Sequence, residues 1–515
     1  MKQGEYIVAS IERTKNAFRN IFYGLILKLY QMLVPFFMRT VIIYVMGIQY
    51  LGLNSLFTSI LQVLNLAELG IGSAMVYSMY KPIAEDDRST ICALMNLYKM
   101  YYRIIGGIIA IIGLILTPFI PKLINGEIPS EINIYILYLL NLGATVLSYW
   151  LFSYKGAIIQ AYQRTDIISK ITLATNTIQY LLQMIILFLL KNYYLYVFIM
   201  LITQAFTNII TAICANRFYP DLNAKGKLAS EDVKQINQRI KDLFTAKIGT
   251  VVVGSVDTII ISFFLGLTTL AVYQNYYFIM NAMAGFITVI FNAITAGIGN
   301  SLITETEDKN YDDFKILTFI ICFILCVFCC CFANLYQPFM KLWVGEQLML
   351  GYKYVIMFCA LFYCLELAMI WATVKDAAGL WHSDRYRPLV GAIANLVMNI
   401  IMVKIIGLSG VVLSTILSYL LISMPWLIHN LFKYLYKRSL RNYLKDLFIY
   451  VLMALFFGFV TVHVCSFVKC SGILEIIIKG LFSCIISVAG ECLIFCKKKE
   501  FQASVALVKS MMKRG

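Results

Sequence analysis

Lys28, Arg39, Glu68 and Asp257 each stand inside a long apolar run of the sequence. An ionised side chain near the centre of a bilayer costs at least about 2.5–3.5 kcal/mol. Such groups therefore face one another or a wet cavity, and they mark the routes of ions and charged substrates. Lys28 and Arg39 lie about three helical turns apart, so they share one helix face with Gln31 and Pro35. Asn54, Thr58, Gln62, Asn65 and Glu68 follow one another in steps of three and four, and Gln274, Asn281, Thr288 and Asn292 also fall on one helix face. Thr250 and Asp257 sit two turns apart on a third helix. Asp257, placed opposite the cationic stripe, would balance it, bind a coupling Na⁺ or H⁺, or touch substrate. Amides and hydroxyls alone also serve as bonds between packed helices.

The elements that position these residues are membrane spans. The chain has 515 residues, 61% hydrophobic and 14% charged, with a mean hydropathy of +0.79. Soluble domains run about 45–50% apolar and ~25% charged. Apolar blocks of roughly 20 residues, each enough for a ~30 Å hydrocarbon core, recur from Phe22 to Cys496. The expected fold is all-α and polytopic, with about fourteen transmembrane helices. Among them, span 2 covers about 52–79, span 7 about 245–266 and span 8 about 270–301. The first block lacks a small-residue cleavage site and reads as a retained span. The connectors leave no room for a soluble catalytic domain.

The basic residues orient the chain. With the N-terminus inside and the loops assigned alternately, 32 Lys and Arg fall inside and 6 outside. This is a strong positive-inside bias, and it places both termini in the cytoplasm. It also accounts for the net charge of +16 without nucleic acid. Runs such as "KYLYKRSLRNYLK" (433–445) suit an anionic leaflet. Lys99 and Arg103 lie near the start of span 3, where long side chains snorkel. Lys479 and Glu475 are spaced to pair within span 14. The 14 Cys show no metal or redox spacing. Cys465 and Cys470 flank an outside loop, and their pairing stays open. The three His are too scattered to suggest a metal site.

The chain also repeats. "YLGLNSLFTSI" (50–60) matches "FLGLTTLAVYQ" (264–274), "SYKGA" (153–157) matches "TVKDA" (373–377), and Asn176 keeps nearly the same offset to Asn395. The offset covers an even number of helices, so the repeat is parallel, one of the two common transporter plans. It divides the chain into a six-span lobe (1–215), a cytoplasmic linker (216–244), a second six-span lobe (245–431) and two additional spans with a basic tail (432–515). A substrate cavity is expected where the lobes meet.

Three stretches, "ELGIGSAMVYSMYKPIAEDD" (68–87), "VDTIIISFFLGLTTLAVYQNYY" (256–277) and "KDAAGLWHSDRYRPLVGAIANL" (375–396), resemble the polysaccharide-transporter family of lipid-linked oligosaccharide flippases, the Wzx type. That family belongs to the multidrug/oligosaccharidyl-lipid/polysaccharide exporter superfamily. The resemblance implies a flippase, not an enzyme, in a bacterial plasma membrane. It would carry polyprenyl-diphosphate-linked repeat units outward by alternating access for O-antigen or capsule synthesis. For that substrate Lys28 and Arg39 would supply charge to the diphosphate, Gln62, Asn65, Gln274 and Asn275 hydrogen bonds to sugar hydroxyls, and Tyr273, Tyr276 and Tyr277 ring faces. It also implies a polysaccharide polymerase and other assembly proteins as partners, and no cofactor. In the third stretch, Asp376, Asp384, Arg385 and Arg387 fall in a cytoplasmic loop and read as a latch on one cavity state or as solvated charges in a turn.

Three other functions fit less well. A cation-coupled multidrug exporter of the same superfamily usually has twelve spans and a less cationic cavity. A lipid II flippase is a closer relative. A membrane glycosyltransferase or polymerase would need long outside loops with carboxylate or Arg clusters, and the loops at about 118–131 and 337–352 are short and lack them.

Overall fold

The computed structural model describes residues 13–126 and 128–514. Among them every regular element is a helix, and the chain is a polytopic helical membrane protein. Contacts divide it into two compact units, 1–268 and 269–515.

The first unit opens with α1 (Arg13–Val45), α2 (Ile48–Leu64) and α3 (Ile71–Ala84). They are followed by α4 (Arg88–Leu116), α5 (Ile134–Trp150), α6 (Tyr154–Ala161), α7 (Thr165–Leu189) and α8 (Tyr193–Phe218). Local chemistry sets the boundaries. Asp87 caps α4 by accepting from the Thr90 N–H at 3.0 Å. Hydrogen bonds from Thr90 and then Ser89 hold its carboxyl below the ordinary carboxylate range. Asn133 and Asn192 cap α5 and α8 in the same way. α1 lies against α7 and α2, α7 against α8, α8 against α5, and α4 against α3 and α5. Lipid offers no hydrophobic drive between helices, so close packing and interhelical bonds hold them together. Thr207 donates to Thr175 at 2.8 Å between α8 and α7.

Helix α9 (Ser230–Thr304) begins in the first unit and ends in the second. It is interrupted at Gly266, whose φ of 84° and ψ of 173° are not helical. A side chain there would also strike the Asn125 carbonyl, so glycine is required twice over.

The second unit continues with α10 (Glu307–Val344), α11 (Tyr352–Ala377), α12 (Trp381–Asp384), α13 (Arg387–Ile406), α14 (Leu408–Ser418), α15 (Met424–Asn430), α16 (Leu440–Ser466), α17 (Ile473–Phe495) and α18 (Lys499–Arg514). Two π-helical turns, Tyr419–Ser423 and Leu431–Tyr436, follow α14 and α15 and keep 408–436 helical throughout. α10 packs against α11, α16 and α17. Cys326 and Cys330, one turn apart on α10, meet Phe457 of α16. All fourteen cysteines are free. The open question of a Cys465–Cys470 bond is thereby answered, since the Cys465 thiol instead reaches the Lys479 carbonyl.

The crossing of α13 and α14 rests on an amide–hydroxyl ladder. Asn395 donates to Thr415 at 3.0 Å, Asn399 donates to Asn395 at 3.1 Å, and Ser414 donates to Asn399. Asn395 and Asn399 are fully buried. Gly410 makes this approach possible, because a Cβ there would meet the backbone of Met402 and Val403. Gly410→Ala is expected to cost about 1–3 kcal/mol of stability, read as a lower melting temperature of the purified protein. An unchanged melt would show that the crossing relaxes freely.

Among the described residues eleven helices are long and apolar enough to cross a membrane, or twelve if the pair α5 and α6, bent by 53°, is one span. The fourteen expected spans differ from this count in two places. Expected span 2 is split into α2 and α3 by a break at 65–70. Expected spans 7 and 8 count as the single 54-residue stretch Val251–Thr304, but the non-helical Gly266 divides it into two helices at the boundary that hydropathy places between 266 and 270.

Candidate functional site

In the first unit the polar residues gather at the break between α2 and α3. Asn65–Glu68 form a 3-10 turn, Leu69 is extended, and Gly70 is left-handed at φ 91° before α3 begins. The break frees Glu68 from a continuous helix face. Its carboxylate accepts from the Tyr102 hydroxyl at 2.6 Å and from the Tyr149 hydroxyl at 2.7 Å. Tyr98 in turn donates to Tyr102 at 2.6 Å. Tyr98, Tyr102 and Tyr149 are all buried. Phenols on α4 and α5 thus occupy both oxygens of the one carboxylate on α2 and the turn after it. Three residues earlier, Asn65 is half-buried and its Oδ1 has no hydrogen-bond partner among the described residues. Gln62 is exposed and accepts from Ser255 of α9 at 3.2 Å.

Asp257 is 6% exposed. It stands two residues beyond Ser255, about 200° round the helix, so it does not point to Gln62. Thr258 and Ser262 beside it are buried too, and the Ser262 hydroxyl donates to the Leu123 carbonyl at 2.8 Å. The side chain of Thr250, its expected companion, lies outside the described residues. On α1, Lys28 and Gln31 are exposed and Arg39 is half-buried. Lys99 sits over the Tyr154 ring at 5.9 Å and Arg103 is exposed.

In the second unit the structure separates residues that the sequence groups together. Gln274 and Tyr277 are half-buried, but Asn275, Tyr273 and Tyr276 lie at 0%, 1% and 0% exposure. Tyr276 is a structural residue: its hydroxyl donates to Gln337 and accepts from the Leu350 N–H, both at 3.1 Å. The expected ring contact from Tyr276 is thus taken up by the α10–α11 connection. Asn275 likewise has no surface to offer a ligand in this conformation. The sequence reading passed over Glu366 on α11 and Glu491 on α17. They are 5% and 3% exposed, and each has an Oε2 without a hydrogen-bond partner among the described residues. Both could have been found as single carboxylates inside apolar runs. Lys479 and Glu475 pair as expected, at 2.6 Å.

The loop from α11 to α13 is organised around Asp384, which is 3% exposed. Arg387 donates to it twice, at 2.7 and 3.0 Å, and Lys375 donates at 3.0 Å. Lys375 also pairs with Asp376 at 2.8 Å, and Trp381 donates to Asp376 at 3.2 Å. Three of the four expected latch residues are therefore joined. Arg385 stands apart, exposed, with its guanidinium over the Tyr386 ring at 4.5 Å. Lys375, the buried cation of the cluster, was not among the expected four. The first unit carries a counterpart: Asp166 is fully buried and accepts from Arg164 at 2.9 Å and Lys170 at 3.1 Å. The repeat carries a signal for the second-unit cluster alone: Lys375 of "TVKDA" donates to Asp384, whereas its match, Lys155 of "SYKGA", donates to Asn216 and Leu222.

Among the described residues no group of three His, Cys, Asp or Glu is placed to hold a metal ion.

By sequence, neither a protein-family model nor a curated protein matches the chain. Solved structures do. The inward closed conformation of the lipid II flippase MurJ matches with a TM-score of 0.66 at 15% identity, over 93% of this chain and 99% of that one. An inward-facing multidrug resistance MATE family transporter of the MOP superfamily matches at 0.58 and 13% identity, over 79% and 97%. An outward-facing one matches at 0.55 and 14% identity, over 85% and 100%. At these identities the likeness is one of fold. The chain has the fold of the lipid II flippase MurJ and of the MATE transporters of the MOP superfamily.

Proposed function

We propose that this protein is a flippase that carries a polyprenyl-diphosphate-linked oligosaccharide from the cytoplasmic to the outer leaflet by alternating access. The observation that carries the reading is the charge left available in the first unit. Both oxygens of Glu68 are occupied by phenols, Asp257 is buried, and Lys28 remains exposed on α1. A face depleted of free carboxylate suits a diphosphate better than a cationic drug. Gln62 and the acceptor of Asn65 add groups for sugar hydroxyls. An inside-negative potential drives an anion outward, and two charges at 100 mV correspond to roughly 4–5 kcal/mol. Translocation then needs no nucleotide, with Na⁺ or H⁺ as an optional coupling ion at Asp257.

The fold neighbours are transporters, which supports transport over catalysis. The match to the lipid II flippase spans more of this chain than the two MATE matches do. This favours a lipid-linked substrate and keeps lipid II as the second reading. The test is a proteoliposome assay in which fluorescent polyprenyl-diphosphate oligosaccharide and fluorescent lipid II are followed by accessibility to an external quencher, with and without an imposed potential. Potential-dependent flipping of the oligosaccharide lipid is expected. Drug efflux without lipid flipping would overturn the reading. Arg39→Ala and Asp257→Asn are each expected to abolish flipping while the protein still inserts at normal levels. Normal flipping by both would remove these residues from the site.

A further inference from the structure

A second basic site stands in the first unit, and Glu68 does not line it. A cavity of about 360 Å³ opens between α4, the α5–α6 bend, α8 and the segment after α8. That volume falls within the ~300–1,000 Å³ of sites that hold small molecules. Three lysines line it, Lys99, Lys155 and Lys225, and among the described residues no carboxylate does. Lys155 is the built element. It is 5% exposed, and its ammonium donates to the Asn216 amide oxygen at 2.7 Å and to the Leu222 carbonyl at 3.3 Å. Neither acceptor is charged. Asp221 on the adjoining segment is already paired with Arg88 at 3.1 Å. A buried cation that meets only neutral acceptors, with two further cations beside it, is an incomplete electrostatic arrangement. An anion completes it.

The rim identifies the anion's carrier. Ile209 and Ile213 line the cavity, and both are exposed, Ile213 at 60%. Phe206 extends the same stripe along α8, also exposed. Polar headgroup ligands and an apolar track therefore meet at one mouth. The Lys and Arg bias puts this end of the unit at the cytoplasmic leaflet, where anionic lipids attract basic groups.

We propose that this cavity binds the phosphate of an anionic phospholipid, with Lys155 at its base, Lys99 and Lys225 at its mouth, and the acyl chains along Phe206, Ile209 and Ile213. Phosphate bears on the lysines as a point charge without the planar fit that arginine would impose. The site is separate from the substrate residues, and its test does not depend on the identity of the transported lipid.

The full chain, purified in detergent, is mixed with equal phosphatidylglycerol and phosphatidylcholine and examined by native mass spectrometry. One phosphatidylglycerol is expected to be retained under activation that strips phosphatidylcholine. Lys99→Gln/Lys225→Gln is expected to weaken that retention roughly 30-fold, from ~1 kcal/mol per lysine. These two residues sit at the mouth, so the variant leaves the buried Lys155 contacts intact. Lys155→Gln gives a second reading, checked by its thermal melt. Equal retention of both lipids by the wild type, or unchanged retention in the double variant, would overturn the proposal. Displacement of the lipid by millimolar inorganic phosphate, with phosphate retained in its place, would assign the cavity to soluble phosphate and overturn the lipid assignment.

Discussion

Asp384→Ala is expected to destabilise the second unit by about 3–5 kcal/mol, because it removes the buried partner of two cations and leaves Lys375 with the exposed Asp376. The Lys375 and Arg387 side chains are 9% and 16% exposed, and both donate to this one carboxylate. Removing the acceptor takes away the carboxylate that compensates the desolvation of Arg387, and leaves that of Lys375 only partly offset by Asp376. Replacing all three with apolar residues (Lys375→Met/Asp384→Leu/Arg387→Met) is expected to recover most of the loss, since such a triad contributes little net stability over a packed apolar core. Thermal and denaturant melts of the purified protein measure both. A single variant within about 1 kcal/mol of wild type would show that water reaches the cluster. The same pair of variants tests the latch. If the cluster holds one cavity state, the apolar triple variant folds normally yet transports with an altered potential dependence. If it is only a structural staple, the triple variant transports as wild type does.

Glu68→Ala carries the second large effect. It removes the acceptor of two buried phenols on different helices, Tyr102 of α4 and Tyr149 of α5. Hydrogen bonds to a charged group contribute about 1.5–3 kcal/mol each, so a loss of roughly 3–6 kcal/mol is expected. Export is expected to be abolished, because the break between α2 and α3 loses the anchor that fixes its geometry. Glu68→Gln separates charge from shape. Its amide oxygen still accepts from one phenol, but its NH₂ is a donor facing the other. The melt is expected to fall by less than in the alanine variant, and Tyr149→Phe in the Gln background is expected to restore part of it. If Glu68→Ala melts and transports as wild type does, the network is dispensable and the site must be sought elsewhere.

Much of this was readable from residue types. Hydropathy found nearly every span, and the pairing of Lys479 with Glu475 followed from helical spacing. The Asn395 and Asn176 matches led to the polar seams between α13 and α14 and between α7 and α8, although the first-unit bond uses Thr175 in place of Asn176. The importance of the "KDAAGLWHSDRYRP" loop was legible, but its membership was not. Sequence spacing alone does not show that Lys375 folds back on Asp384 while Arg385, next to it, turns outward.

What the sequence determined by itself is the class of molecule: an apolar helical chain with a parallel repeat, a cationic first span and single carboxylates set inside hydrocarbon. These follow from transfer energies and helical period, which act residue by residue. What only the tertiary structure decided is which polar groups are spent. Glu68 is taken by tyrosines more than thirty residues away on two other helices, and Tyr276 by the α10–α11 connection. Lys155 is buried against neutral oxygens and left in want of an anion. Whether a charge is available or satisfied depends on partners brought close by packing. Inside a membrane that choice of partner decides whether a charge is a site or a staple.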